Sequence, residues 1–242
     1  MAGSGRYLFA ADIHIGALGN DAAKERFLHF LKNLPSDTRQ LWLLGDVFDF
    51  WFEWKDAYTS MYEDVLEALR SVASSGIKVF FLKGNHDWWT FGKLAELTGI
   101  EIIENQPHFV ELEGHRFCLA HGDCLGKLRF GEWFIGWLFR NKACIALCRS
   151  LPRKWILKFA FWWSKSSRSK PGKTGYRLTP GGSLYKYSCG VAAERQVDHF
   201  VFGHIHHPAS FTIESGASLN IIGGWSREAH WLEFHDGEII EN

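Results

Sequence analysis

Five short polar clusters carry the residue types that divalent-metal chemistry uses. They are Asp12-x-His14, Gly45-Asp46, Gly84-Asn85-His86-Asp87, His121-Gly-Asp123 and Gly203-His204-x-His206. Together they offer carboxylate and amide oxygens and imidazole nitrogens, with no need for a thiolate. That donor set suits Mn2+, Fe or Zn2+ better than Ca2+. D-x-H or H-x-H spacing at a strand end puts both side chains on one side, as two ligands of one centre require. Taken singly, each cluster has a plainer explanation, since Gly, Asn and Asp make turns and Asp12 can cap a helix. Recurrence after one apolar run after another argues instead for a single shared site.

Those runs define the elements that must position the clusters. Arg6-Tyr-Leu-Phe-Ala-Ala reads as a buried strand ending at Asp12, and Gln40-Leu-Trp-Leu-Leu as a second ending at Gly45-Asp46. Ile77 to Leu82 reads as a third, ending at Gly84-Asn85-His86-Asp87. Between them, residues 21 to 34 place Phe27, Phe30, Leu31 and Leu34 on one helical face. Residues 58 to 74 do the same with Met61, Val65, Leu66, Leu69 and Val72. Strand, helix, strand, helix, strand predicts parallel pairing with right-handed crossovers. After Gly99 the rhythm changes to strand-like runs with short turns: EIIEN, HFVELEGHRFCLAHGD, DHFVFGHIHH, SFTIE, SLNIIGG and HWLEFHDGEII. These predict a second, mixed sheet, so the fold class is α/β: a two-sheet sandwich flanked by helices. In such sheets ligands bind beyond the carboxyl ends of the strands, where all five clusters lie.

The 242 residues fit one domain with a sizeable core, and 46% hydrophobic content with 22% charged residues excludes disordered and fibrous classes. No apolar run reaches the roughly 18 residues of a membrane span. MAGSGRYLFAAD lacks the basic start and long apolar centre of a signal peptide, and five cysteines have no framework spacing. A cytoplasmic location is expected. The formal charge is zero but unevenly spread. From Leu125 to Lys170, eleven Lys or Arg face one acid, Glu132, a local net of +10. The same stretch holds five of the twelve Trp. It reads as a basic, aromatic, helical insertion at about 125–175 within one domain spanning 1–242. The Gly/Ser/Lys-rich 165–183 is expected to order on binding.

The cluster set resembles the calcineurin-like metallophosphoesterase superfamily along nearly the whole chain. The resemblance implies two divalent ions, most simply Mn2+, with Fe or Zn2+ as alternatives. Asp12, His14, Asp46 and His206 would hold one, and Asp46, Asn85, His121 and His204 the other. Two such ions can clamp the attacking and leaving oxygens of an in-line displacement. Asn85 then contributes a neutral carbonyl, His86 protonates the leaving oxygen or steadies the transition state, and Asp87 orients His86. Trp88 and Trp89 either pack in the core or rim the site. Asp49 is expected to cap, and Asp123 either to hydrogen-bond a ligand histidine or to play no part.

Within the superfamily the insertion, LFRNKACIALCRSLPRKWILKFAFWWSKSSR, resembles that of the UDP-2,3-diacylglucosamine pyrophosphatases of lipid A synthesis. Many of those carry Arg where this chain has His86, and an acidic cluster where it has CLGKLRFG; a divergent subgroup with GNHD is the nearest in pattern. The implied reaction is hydrolysis of UDP-2,3-diacylglucosamine at the α-phosphorus, giving UMP and 2,3-diacylglucosamine 1-phosphate (lipid X). Two acyl chains need an apolar cleft, which Trp133, Trp137 and Trp162 would line. The polar part of the substrate would meet Asn85, His86, Ser164, Lys165, Arg168, Lys170 and His204. Basic residues beside aromatics also suit an anionic inner-membrane surface, on which such helices lie without spanning it. Neither nucleic acid nor an obligate protein partner is expected. The competing reading is a nuclease or cyclic-nucleotide phosphodiesterase of the same superfamily, since a basic aromatic patch also suits single strands. A scaffold without metals is the third, and it conflicts with seven intact ligand positions.

Overall fold

The computed structural model describes residues 5–17, 20–55, 58–126, 128, 130–168 and 182–242. Alternation along the first strands builds its layers. In β1 (Arg6–Ala10), Leu8 and Ala10 point to one face and Tyr7 and Phe9 to the other. β2 (Thr38–Leu43) divides likewise, with Leu41 and Leu43 opposite Trp42, and β3 (Lys78–Leu82) puts Val79 and Phe81 on the first face. The first face is covered by α1 (Asp21–Lys32) and α2 (Glu63–Ser74), which bury Phe27, Phe30, Val65, Leu66 and Leu69 against it. α3 (Lys93–Thr98) adds Leu94. The second face packs on another sheet.

β1, β2, β3 and β4 (Glu101–Ile103) run parallel. The next two strands, β5 (His108–Leu112) and β6 (His115–Ala120), start the other sheet, which β7 (His199–His206), β8 (Ala209–Thr212) and β9 (Ser218–Gly223) complete. β10 (Trp231–His235) and β11 (Glu238–Glu241) then return to the first. The sheet orders are β11-β10-β1-β2-β3-β4 and β5-β6-β7-β9-β8. Phe117, Leu119 and Val201 fill the space between the sheets. Cys118, Ala120, Phe200 and Phe202, one residue out of phase, pack outward with Leu184 of α7 (Ser183–Glu194).

The α/β sandwich agrees with the expectation, and three details differ. EIIEN and HWLEFHDGEII belong to the first sheet. β4 extends it by parallel pairing with β3, and β10 lies antiparallel on β1. Met61 is exposed, because a 3-10 turn at Ser60–Tyr62 takes it off the helical stripe. α7 falls in a stretch where no helix was expected.

The insertion forms three helices, α4 (Phe130–Arg140), α5 (Lys142–Ser150) and α6 (Arg153–Arg168). Asn141 starts α5, its Oδ1 accepting the N–H groups of Ala143 and Cys144 at 2.9 and 3.3 Å. Pro152 restarts the chain as α6. Ile156 and Ala160 of α6 pack on Phe50, Phe52 and Trp54, in the loop that leaves Asp46. The insertion is therefore anchored on the segment that carries the first sheet's second polar cluster. Among the described residues no helix is long and apolar enough to cross a membrane.

Candidate metal centre

The strand ends meet at one place because their loops are laced together. Beyond β1 and β2 the ladder continues as Asp12 N–H to Gly45 O (3.1 Å), His14 N–H to Asp46 O (2.9 Å) and Ile15 N–H to Val47 O (2.9 Å). Gly203 N–H donates to His121 O at 2.9 Å, and the Asp12 Oδ2 atom accepts His204 N–H at 2.7 Å, which joins the two sheets.

Asp12, His14, Asp46, His204 and His206 all have φ between 52° and 72°. Each such residue costs on the order of 1–3 kcal/mol, so five together rival a domain's whole net stability of roughly 5–15 kcal/mol. A ligand that gathers them is a sufficient reason for the fold to tolerate this. Gly84 belongs to the same construction: a Cβ there would collide with Asp46 Oδ1. Gly84→Ala is therefore expected to displace the Asp46 carboxylate and to lower metal content and activity together while far-UV circular dichroism stays native. Unchanged metal content would show that the close approach is unimportant.

Two groups of donors result. Asp12, His14 and His206 form one, and Asp46, His121 and His204 the other, with ligand atoms in each group within 4.8 Å of one another; His14 also groups with Asp49 and His86 at the same spacing. His14 Nε2 and His206 Nε2 are 3.2 Å apart, and His206 Nε2 is 3.5 Å from Asp12 Oδ1. Asp12 Oδ1 is buried and has no hydrogen-bond partner among the described residues. In the other group, His121 Nδ1 donates to Leu44 O at 2.9 Å, which aims Nε2 at Asn85 Oδ1 (3.2 Å) and Asp46 Oδ2 (3.3 Å). Asp46 sits between the groups. Its Oδ1 accepts His86 N–H at 2.9 Å, leaving Oδ2 3.6 Å from His14 Nε2 and 3.3 Å from His121 Nε2.

The electrostatics suit cations. Burial lowers the pKa of His14, and brings that of His204 down to about 4, so both present neutral lone pairs at neutral pH. Burial pushes the Asp12 carboxyl up to about 6, a response that a bound cation reverses. His121 is raised well above the usual imidazole range: burial lowers it, but the charge and hydrogen bond of Asp46 outweigh that. An orphaned carboxylate oxygen, facing imidazole nitrogens and a mixed O/N donor set fit divalent ions.

The structure brings Asp12, His14, Asp46, Asn85, His121, His204 and His206 together. It also places His86 beside them, its ring 4.7 Å from that of His14. Asp87 differs from expectation, because its carboxylate does not meet the His86 ring. Its Oδ1 accepts the N–H groups of Gly84 (2.7 Å) and Asp46 (3.2 Å), and its Oδ2 that of Val47 (2.9 Å). Those donors of the two ligand loops, otherwise unpaired, draw it inward, and burial pushes its carboxyl up to about 7. Asp49 orients His86 instead. Its backbone oxygen accepts His86 Nδ1–H at 2.8 Å, and its carboxylate lies 3.5 Å from both His86 Nδ1 and His14 Nδ1. Capping was the wrong expectation for it. An acid three residues after a ligand at a strand end was the available signal.

The substrate-side expectations divide. Ser164 is buried, and its hydroxyl is turned to the Asp49 carboxylate (2.8 and 2.9 Å) rather than to an open cleft. Trp133, Trp137 and Trp162 are 53%, 49% and 62% exposed. Lys170 lies outside the described residues, as do the side chains of Lys165 and Arg168 and residues 169–181 of the expected loop, whose first four residues instead end α6. Trp89 packs with Phe50, Phe52 and Phe139, while Trp88 lies beneath the Arg140 guanidinium at 4.1 Å. Arg140, unforeseen in the sequence, also pairs with Asp123 at 2.9 Å. Despite burial, His121, His204 and Arg140 hold the Asp123 carboxyl below its usual range.

Comparison with known proteins gives a consistent result. The family model for calcineurin-like phosphoesterases matches residues 5–208. A UDP-2,3-diacylglucosamine hydrolase of Stutzerimonas stutzeri is 28% identical, covering 93% of this chain and 93% of its own. That of Azotobacter vinelandii is 29% identical, covering 95% and 94%. The crystal structure of a dimetal phosphatase from Danio rerio superposes with a TM-score of 0.51 at 14% identity, over 98% of this chain and 95% of its own, a likeness of fold. A family match over most of the sequence, on a fold that gathers its polar clusters at one end of two sheets, leads to one conclusion: the chain belongs to the calcineurin-like phosphoesterase family.

Proposed function

We propose that this protein hydrolyses UDP-2,3-diacylglucosamine at the α-phosphorus, using two divalent ions, most simply Mn2+. Asp12, His14, Asp46 and His206 hold one ion, and Asp46, Asn85, His121 and His204 the other. The observation that supports this best is the seating of an aromatic, basic insertion directly on the loop between Asp46 and Trp54. A phosphoester site and an apolar surface are thereby adjacent, as a nucleotide-linked lipid requires.

Bound divalent ions supply positive charge at the phosphoryl oxygens and lower the pKa of water. The chain supplies the rest. Water adds to the α-phosphorus, the bond to the oxygen bridging the two phosphates breaks, and UMP and 2,3-diacylglucosamine 1-phosphate leave. His86 donates Nδ1–H to Asp49 O, so its doubly protonated form carries the Nε2 proton that passes to the departing oxygen and leaves a neutral ring. The relatives' name, the donor set and the aromatic faces support this reading together.

Those faces are regular. Phe130, Trp133, Phe134 and Trp137 form a stripe along α4, and Trp155, Phe159 and Trp162 one along α6, all exposed. Two acyl chains can lie on them, and the surrounding Lys and Arg suit an anionic inner-membrane surface at about 1 kcal/mol per cation. Losing contact with about two methylenes, at 0.8 kcal/mol each, corresponds to roughly tenfold. Trp133→Gln, Trp137→Gln or Trp162→Gln is accordingly expected to raise KM for the diacyl substrate by about that factor. Hydrolysis of bis-p-nitrophenyl phosphate should barely change. Equal losses on both would mean that the helices only support the fold. The reading as a whole is tested by supplying the Mn2+-loaded protein with UDP-2,3-diacylglucosamine, UDP-glucosamine, bis-p-nitrophenyl phosphate and single-stranded oligonucleotides. UMP release from the diacyl compound is expected. Salt-sensitive cleavage of oligonucleotides without UMP release would favour a nuclease.

A further inference from the structure

The insertion touches the catalytic end of the fold at more than its apolar base. Trp89 Nε1 donates to Phe139 O of α4 at 2.9 Å, and Arg149 Nε of α5 donates to Glu53 O at 3.0 Å. α6 makes the contact nearest the metal ligands. Ser164 Oγ lies 2.9 and 2.8 Å from the two Asp49 carboxylate oxygens, and both residues are 2% exposed. That carboxylate stands 3.5 Å from the Nδ1 atoms of His14 and His86, and the same residue's carbonyl holds His86 Nδ1 at 2.8 Å. One hydroxyl of the insertion is therefore one residue removed from a candidate metal ligand and from the candidate proton donor.

We propose that Ser164 is a positioning residue: by donating to Asp49 it fixes a residue whose carboxylate stands 3.5 Å from His14 Nδ1 and His86 Nδ1 and whose carbonyl holds His86 Nδ1–H, so the seating of α6 sets the geometry of the catalytic centre. The inference rests on the metal-dependent phosphoester reading but not on the identity of the lipid. A hydroxyl donor at this point has a definite use. A buried carboxylate between two imidazoles can turn toward either, and a fixed hydroxyl 2.9 and 2.8 Å from its two oxygens restricts that freedom. Outer partners of metal-site histidines are typically worth about 10–100-fold in metal affinity or activity, and Ser164 acts on these histidines through Asp49.

Ser164→Ala and Ser164→Thr separate this role from the alternatives. The Ala variant is expected to lower kcat for bis-p-nitrophenyl phosphate and for the diacyl substrate by the same factor, about 10-fold or more, with KM for the lipid nearly unchanged. Mn2+ titration by calorimetry should show weakened affinity in one of two binding steps. The Thr variant, which keeps the hydroxyl, should recover at least half of the lost kcat. Because bis-p-nitrophenyl phosphate is one of the readouts, the outcome stands even if the natural substrate proves to be another phosphoester. A rise in lipid KM with unchanged turnover of the small substrate would overturn the proposal and make Ser164 a substrate contact. A lower melting temperature with normal kcat and normal Mn2+ affinity would overturn it too, leaving Ser164 a packing residue.

Discussion

Asp46→Ala is expected to remove metal and activity in one step. Asp46 Oδ2 is the oxygen that lies 3.6 Å from His14 Nε2 in one donor group and 3.3 Å from His121 Nε2 in the other. Its Oδ1 accepts His86 N–H at 2.9 Å, so the same side chain also fixes the Gly84–Asp87 turn. No other residue faces both groups in this way among those described. Charge stabilisation by bound metal amounts to several kcal/mol, which at 1.36 kcal/mol per tenfold corresponds to roughly 10³–10⁴ in turnover. Metal analysis of the purified variant should show two ions reduced to one or fewer per chain. Normal turnover with two retained ions would sink the shared-carboxylate arrangement. His121 provides a second check, since loss of Asp46 also removes the charge that raises its pKa.

The second large effect separates chemistry from metal binding. His86→Ala should lower kcat about 10²–10⁴-fold, the range for a general acid, while both ions remain bound. His86 is half-buried, its Nδ1 is engaged by Asp49 O at 2.8 Å, and its backbone N–H by Asp46 at 2.9 Å. Removing the ring leaves the backbone contact in place, so the Asp46 carboxylate should keep its position. Two further results sharpen the test. A substrate with a better leaving group, which needs less protonation, should lose less activity in the variant than a poor one. Loss of an ion on substitution would instead make His86 a ligand.

Much of this site was legible in the sequence, for a physical reason. Ligands of a centre beyond parallel strands must follow apolar runs directly, and the candidates Asp12, Asp46, Asn85, His121 and His204 all do. What pairs with what inside the loops was not legible. Asp87 stands next to His86 in the chain, yet its carboxylate is claimed by the backbone N–H groups of Gly84, Asp46 and Val47. The residue that meets His86 is Asp49, distant in sequence and brought near by the path of the chain from Asp46 to Trp54. The sheet membership of β4, β10 and β11 was hidden similarly. Alternation records that a strand has a buried face, not which strand lies beside it. α7 escaped notice because SLYKYSCGVAAE buries only Leu184 and Ser188 fully, too sparse a stripe to mark a helix. The insertion's helical, aromatic character was evident from composition, whereas its hydrogen bond from Ser164 to Asp49 spans 115 residues and leaves no local trace.

The five strand ends are expected to hold two divalent ions with Asp46 shared between them. Crystals of the protein grown with Mn2+ and measured near the manganese absorption edge test it most directly, through an anomalous difference map. Two peaks are predicted, roughly 3.5–4 Å apart. One should be bounded by Asp12, His14 and His206, the other by Asn85, His121 and His204, with the Asp46 carboxylate between. A single peak, or peaks that leave Asp46 without contact, would contradict the account.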